Sequence, residues 1–141
     1  MDWKQILTNL SWTGDAGMTI RKVEEDVIQT GKVADFREIA NEFMRRVDAQ
    51  EPDILSYAWY LDKNQESCII LEDYGDNNAL LFHLENIRDL YTQLFAVCEI
   101  TRLRVFGDVS DAVRSAHMPQ TEFFDRWPGI SSGSTGSRLP K

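Results

Sequence analysis

Residues 54–74 hold two apolar strands joined by a short polar turn, and both strands are apolar on both faces over part of their length. In Ile54-Leu55-Ser56-Tyr57-Ala58-Trp59-Tyr60-Leu61, side chains alternate so that Leu55, Tyr57, Trp59 and Leu61 share a face. Asp62-Lys63-Asn64-Gln65 reads as a turn and Ser67 to Tyr74 as the returning strand, which predicts a hairpin. A sheet built from such strands needs cover on both sides.

The helices that could supply one cover are visible in the spacing. Val33, Phe36, Ile39/Ala40, Phe43 and Val47 recur at three and four residues, the mark of an amphipathic helix. Thr30 is a suitable N-cap, and Pro52 ends the helix by pushing Glu51 out of the α region. After Gly75, Asp76 or Asn77 can cap a second helix whose stripe is Leu80, Leu84, Ile87, Tyr91, Leu94 and Cys98. A weak strand over 20–29 has Val23 and Val27 alternating with charges, and a clearer one runs from Glu99 to Gly107. Ser110 can cap a short helix through Ala116. Beyond Pro119 the chain turns irregular, with Phe123, Phe124 and Trp127 as expected anchors.

The order strand, helix, strand, strand, helix, strand predicts an α+β, ferredoxin-like βαββαβ domain. Its four-stranded antiparallel sheet carries both helices on one face. Two helices cover that face only, so the apolar second face calls for a second copy laid sheet to sheet, a two-fold homodimer. Residues 1–20 read as an N-terminal arm, 21–118 as the α+β domain, 119–130 as a C-terminal packing segment and 131–141 as a Ser/Gly-rich mobile tail.

Composition narrows the function classes. At 141 residues and 43% hydrophobic, the chain is one domain with a real core. The 23 acidic against 15 basic residues leave a net charge of −8, which excludes a phosphate-backbone partner and an anionic membrane surface. Cys68 and Cys98 lie in apolar segments and read as free buried thiols. With no CxxC and two histidines, no metal-finger spacing exists, and no cofactor is called for. No secretory signal and no apolar run of the ~20 residues a membrane span needs is visible, so a cytoplasmic protein is expected.

Four segments, in order, resemble the antibiotic biosynthesis monooxygenase-like domains. They are Glu51-Pro52-Asp53-Ile54-Leu55-Ser56-Tyr57, Cys68-Ile69-Ile70-Leu71-Glu72-Asp73-Tyr74, Asn78-Ala79-Leu80-Leu81-Phe82-His83-Leu84, and Thr101-Arg102-Leu103-Arg104-Val105-Phe106-Gly107-Asp108-Val109-Ser110. The resemblance covers roughly residues 24–117. It implies a dimeric α+β barrel, and it implies one of several chemistries: cofactor-free monooxygenation of quinols or polyketide anthrones, haem degradation, isomerisation, or no reaction. Haem-degrading relatives use an Asn, Trp and His constellation; here the second helix carries His83 without a Trp.

His83 is the candidate catalytic residue. On the flank of the second helix it would look onto the sheet, where a neutral imidazole could orient or deprotonate a phenolic substrate. A core-edge histidine held by a carbonyl or carboxylate fits the same position. His117, after the last short helix, reads as solvated. Glu72 and Tyr74 share a strand face with Cys68 and Ile70, and a carboxylate on such a face needs a partner. Arg102 is the expected one, either as a structural ion pair or as a polar lining of a ligand cavity. Tyr57 and Trp59 could wall a flat aromatic ligand by stacking, or pack in the core or dimer interface. Phe43 and Asn41 could look into the same space, Asn41 being more suited to solvent. The function expected is a cofactor-independent monooxygenase acting on a quinol or other electron-rich aromatic. The alternatives are a non-catalytic small-molecule-binding dimer and a purely structural module.

Overall fold

Strand β1 (Ile20–Ile28) lies in the middle of the sheet, antiparallel to β3 (Ser67–Tyr74) on one side and to β4 (Cys98–Phe106) on the other. The computed structural model describes residues 19–127. Nearly all of the expected N-terminal arm, the end of the packing segment and the Ser/Gly-rich tail lie outside the described residues.

The predicted hairpin forms as β2 (Ile54–Leu61) and β3, and the Asp62 carboxylate fixes its turn by accepting the Glu66 and Ser67 N–H groups at 2.8 and 2.9 Å. The sheet has five strands rather than four, in the order β2-β3-β1-β4-β5. The addition is β5 (Glu122–Phe124), parallel to β4 with Arg104 opposite Glu122. Three residues are too short to carry an alternation signal, so the segment reads as irregular from sequence. Its pairing turns Phe123 inward and Phe124 outward, where Phe124 stacks on Phe106 at 5.1 Å. Trp127, an expected anchor, is 76% exposed.

Helix α1 (Val33–Gln50) buries Phe36, Ala40, Phe43 and Val47, the predicted stripe, and leaves Asn41 exposed. Its N-cap is Lys32, with no side-chain cap bond, so Thr30 does not cap it. The predicted second helix is broken at Ile87 into α2 (Asn77–Asn86) and α3 (Arg88–Phe95). Asp76 caps α2, accepting the Ala79 N–H at 2.8 Å. Ser110 caps α4 (Asp111–Ala116), accepting the Val113 N–H at 3.2 Å.

Two apolar clusters hold the helices on one sheet face. Phe36, Phe43, Val47, Ile70, Leu90 and Leu94 form one, with Tyr57, Trp59 and Tyr91 packed against it. Ile20, Tyr74, Leu80, Val105 and Val113 form the other, with Phe123 against it. Cys68 and Cys98 are free and buried. On the opposite face Val27, Tyr60 and Ile69 are exposed. No helix among the described residues is long and apolar enough to cross a membrane.

Candidate functional site

The inward face of β1 carries Ile20, Lys22, Glu24, Asp26 and Ile28, all buried. Three ionisable groups therefore point into the core from the central strand. The valines that suggested the strand, Val23 and Val27, point to the other face. Lys22 stands directly opposite Glu72 on β3, with Nζ 3.6 Å from Oε2, and 3.9 Å from Glu24 Oε2. Tyr74 donates its hydroxyl to Glu72 Oε2 at 2.8 Å, and Tyr91 donates to Glu24 Oε2 at 3.2 Å.

A further carboxylate enters from the end of α1. Glu51, its C-cap residue, accepts from His83 Nδ1 at 2.9 and 3.1 Å and from the Asn86 side-chain amide at 2.8 Å. The other ring nitrogen of His83, Nε2, faces Glu72 Oε1 at 3.9 Å without a hydrogen bond. Tyr57 and Tyr74 cage the imidazole edge-on, at 5.3 and 5.4 Å between ring centres. From half-buried Asn86 on α2, the buried Glu51, His83, Glu72 and Lys22 thus run as one polar chain to the centre of the sheet.

Burial governs the protonation of this interior. It pushes the Glu24 carboxyl up and, with Glu24 beside it, raises Asp26 to about 9, so Asp26 is a neutral acid at pH 7. It also holds the Tyr57, Tyr74 and Tyr91 hydroxyls well above the usual phenol range.

The inner end of this chain opens on a cavity of about 460 Å³ between β1, β4 and the helices, a size suited to a small organic ligand. Leu81, Leu84, Phe95, Leu103 and Met118 supply apolar wall, and Lys22, Tyr91 and His117 supply polar atoms. His117 is half-buried rather than solvated. Its Nδ1 donates to the Val113 carbonyl at 2.7 Å, which leaves the Nε2 lone pair without a partner. Burial, with Lys22 nearby, lowers its pKa to about 4, so it is a neutral base at pH 7.

Four of the six site residues expected from sequence gather in one place: His83, Glu72, Tyr74 and Tyr57. None of them lines the cavity. His83 is 0% exposed and sits one step behind Glu72. Trp59 packs against Phe36 and Phe43 at 5.8 and 5.4 Å, as core. Arg102 does not pair with Glu72: β1 intervenes between β3 and β4, Lys22 takes the position opposite Glu72, and a register shift at Glu25/Asp26 changes the phase of β4. Arg102 is exposed and its Nε donates to Glu122 at 2.9 Å.

Lys22, Glu24, Asp26 and Glu51 belong to the site and were not singled out from sequence. Charges at every second position of a strand mark the first three. Glu51 carries a weaker mark, since a carboxylate at a helix C-terminus opposes the helix dipole and needs a local cation or donor.

No protein-family model and no curated protein matches the chain. Solved structures do. MupZ from Pseudomonas fluorescens superposes with a TM-score of 0.71 at 24% identity, over 82% of this chain and 96% of that one. SnoaB, a cofactor-independent oxygenase from Streptomyces nogalater, superposes with a TM-score of 0.56 at 14% identity, over 66% of this chain and 95% of that one. A Caulobacter crescentus protein described as an antibiotic biosynthesis monooxygenase gives a TM-score of 0.56 at 19% identity, over 67% and 93%. At these identities the likeness is one of fold: the chain has the ferredoxin-like α+β fold of the antibiotic biosynthesis monooxygenase-like proteins.

Proposed function

We propose that the chain is a cofactor-independent monooxygenase that ionises a quinol or similar electron-rich aromatic in the cavity beside Lys22 and His117. The observation that carries this is that His117, neutral and with its Nε2 unpartnered, is one of the residues that line an apolar cavity. A pKa below the working pH keeps this nitrogen free but weakly basic, so the transfer needs the phenolate to be stabilised as it forms. His83, sealed behind Glu72, is a positioning residue in this scheme. Glu72 and Tyr74 act with it as supports, and Tyr57 and Trp59 as packing.

The electron balance needs only substrate and dioxygen. Loss of a hydroxyl proton to His117 leaves a phenolate, which reduces dioxygen and forms a carbon–oxygen bond. Cleavage of the resulting O–O bond leaves one oxygen on the ring and releases the other as water, the quinol becoming a hydroxyquinone with loss of four electrons. The apolar walls exclude bulk water from the ionised substrate. The names of the structural neighbours, SnoaB among them, agree with this chemistry.

Oxygen uptake with a panel of hydroquinones tests it. Turnover above background that falls in His117→Gln is the expected result. A ligand-induced rise in Tm with no oxygen uptake would instead establish a small-molecule-binding protein, a role that the sealed position of His83 also permits.

The active form in this proposal is a homodimer joined through the outer sheet face. Its support is that face's apolar side chains, Tyr60, Ile69 and Val27, all exposed in the single chain. Sedimentation should give twice the chain mass, and Ile69→Lys should give the single mass; a monomeric wild type would defeat the dimer.

A further inference from the structure

We propose that Lys22 is an oxyanion-binding group and that the ligand of the cavity is a small apolar molecule whose inner end carries an ionisable hydroxyl, a phenol or enol, held as its anion. This deepens the oxygenase reading and rests on it for the site, though not on turnover.

The starting point is an unfinished ion pair. Lys22 is 1% exposed, yet its ammonium stands 3.6 Å from Glu72 and 3.9 Å from Glu24, beyond hydrogen-bond reach of either. An ammonium has three N–H donors, and a buried charge left without hydrogen bonds is costly. The nearer oxygen of Glu72 is already occupied by the Tyr74 hydroxyl, and that of Glu24 by Tyr91. Each of these oxygens keeps a further lone pair and Glu24 Oε1 has no partner, yet neither carboxylate comes within hydrogen-bond distance of Lys22. The side on which Lys22 has room is the cavity it lines.

The other lining residues define what fits there. Arg88, the second cation of the wall, is committed to Glu85 at 2.6 Å, and both are exposed at the rim. Lys22 alone therefore meets the buried end of the ligand with positive charge. One ammonium, without an arginine fork, matches a single oxyanion better than a phosphate or other multiply charged group. The leucines, Phe95 and Met118 match an apolar body. The groups facing Lys22 are Glu24 on its own strand, Glu72 on β3, Tyr91 on α3 and His117 after α4, with His83 behind Glu72. His117 accepts the proton that the hydroxyl gives up, and Lys22 receives the oxygen that remains.

The probe is para-nitrophenol, whose absorbance separates phenol from phenolate and which needs no oxygen chemistry. Bound to the wild-type protein, its pKa should fall by about one unit or more, a tenfold preference for the anion. Para-nitroanisole, with the same body and no ionisable proton, should bind at least about tenfold more weakly than the phenolate. Lys22→Met should abolish the preference and Lys22→Arg should keep most of it. Should Lys22→Met fail to fold, the comparison of the two probes on wild type still decides. A bound probe with unchanged or raised pKa, or equal affinity for the two probes, overturns the proposal. Oxygen uptake without the shift would leave the oxygenase standing and remove the anion site. The shift without oxygen uptake would do the reverse.

Discussion

Glu51 holds Nδ1 of His83 at 2.9 Å from the end of a helix 32 residues earlier in the chain, and both side chains are buried. The contact ties α1 to α2 and directs the second ring nitrogen at Glu72. Glu51→Gln removes the acceptor charge but keeps the shape. The expected cost is about 2–4 kcal/mol of unfolding free energy, because a buried partner is left with a poorer one. Urea unfolding with unchanged m-value checks it. A loss under about 0.5 kcal/mol, the level of an ordinary surface substitution, would mean that this contact does not hold the helices.

His117 titrates in the opposite sense to a salt-bridged histidine. Its folded pKa of about 4 lies below the ordinary value of 6.5, so between those values the unfolded chain binds a proton that the folded one does not. Stability should therefore decline as pH falls from 6.5 toward 4, by at most ~3 kcal/mol from this residue. His117→Gln should flatten that part of the stability profile. In the oxygenase scheme it should also lower kcat on the order of 10²-fold, the usual contribution of a general base. The low-pH limb of kcat/KM in wild type should sit nearer 4 than 6.5.

Asp26 predicts the reverse slope. Its folded pKa of about 9 lies above the ordinary 3.8, so the folded state keeps a proton that the unfolded state has released. Its contribution is full below 3.8 and is lost as pH rises toward 9. Asp26→Asn keeps the shape without the ionisation cost. It should stabilise the protein at pH 8 by roughly 1–3 kcal/mol and do little at pH 4. Thermal unfolding of the pair at the two pH values separates this from a general packing effect.

Gly107, at the end of β4, has a φ of 122°, and a Cβ there would lie 2.8 Å from the Thr19 carbonyl oxygen. Gly107→Ala should cost ~1–3 kcal/mol through both backbone strain and that contact. Arg102→Ala is the control: its pairing with Glu122 is exposed, and its loss should leave the unfolding midpoint where it is in the wild type.

Much of this frame was legible because burial wrote a period into the chain. The Phe36-Ala40-Phe43-Val47 stripe and Tyr57, Trp59 and Leu61 of the hairpin show their inward faces directly, whereas a register shift between Ile54 and Ser56 turns Leu55, expected on the same face, outward. The central strand did not, because Lys22, Glu24 and Asp26 occupy the positions where apolar residues would have announced it. The break at Ile87 left no mark either, since α2 and α3 continue one buried line through Leu80, His83, Ile87, Leu90 and Leu94. For the site, the residue types on β2, β3 and α2 were enough to gather Tyr57, Glu72, Tyr74 and His83. They could not locate the cavity. That depends on the segment after α4, which brings His117 and Met118 to the wall that Lys22 lines. No local pattern encodes such a return.

The placement of Lys22, Glu24 and Asp26 on the middle strand, with His117 on a connection at the periphery, separates two kinds of change open to this protein's descendants. Substitutions in the strand alter the frame and the electric field together, so each must be answered by another nearby. The connection can be rewritten alone. In the oxygenase scheme a new reagent at position 117 would meet the same pocket and the same ammonium, so the reaction could change without the scaffold being rebuilt.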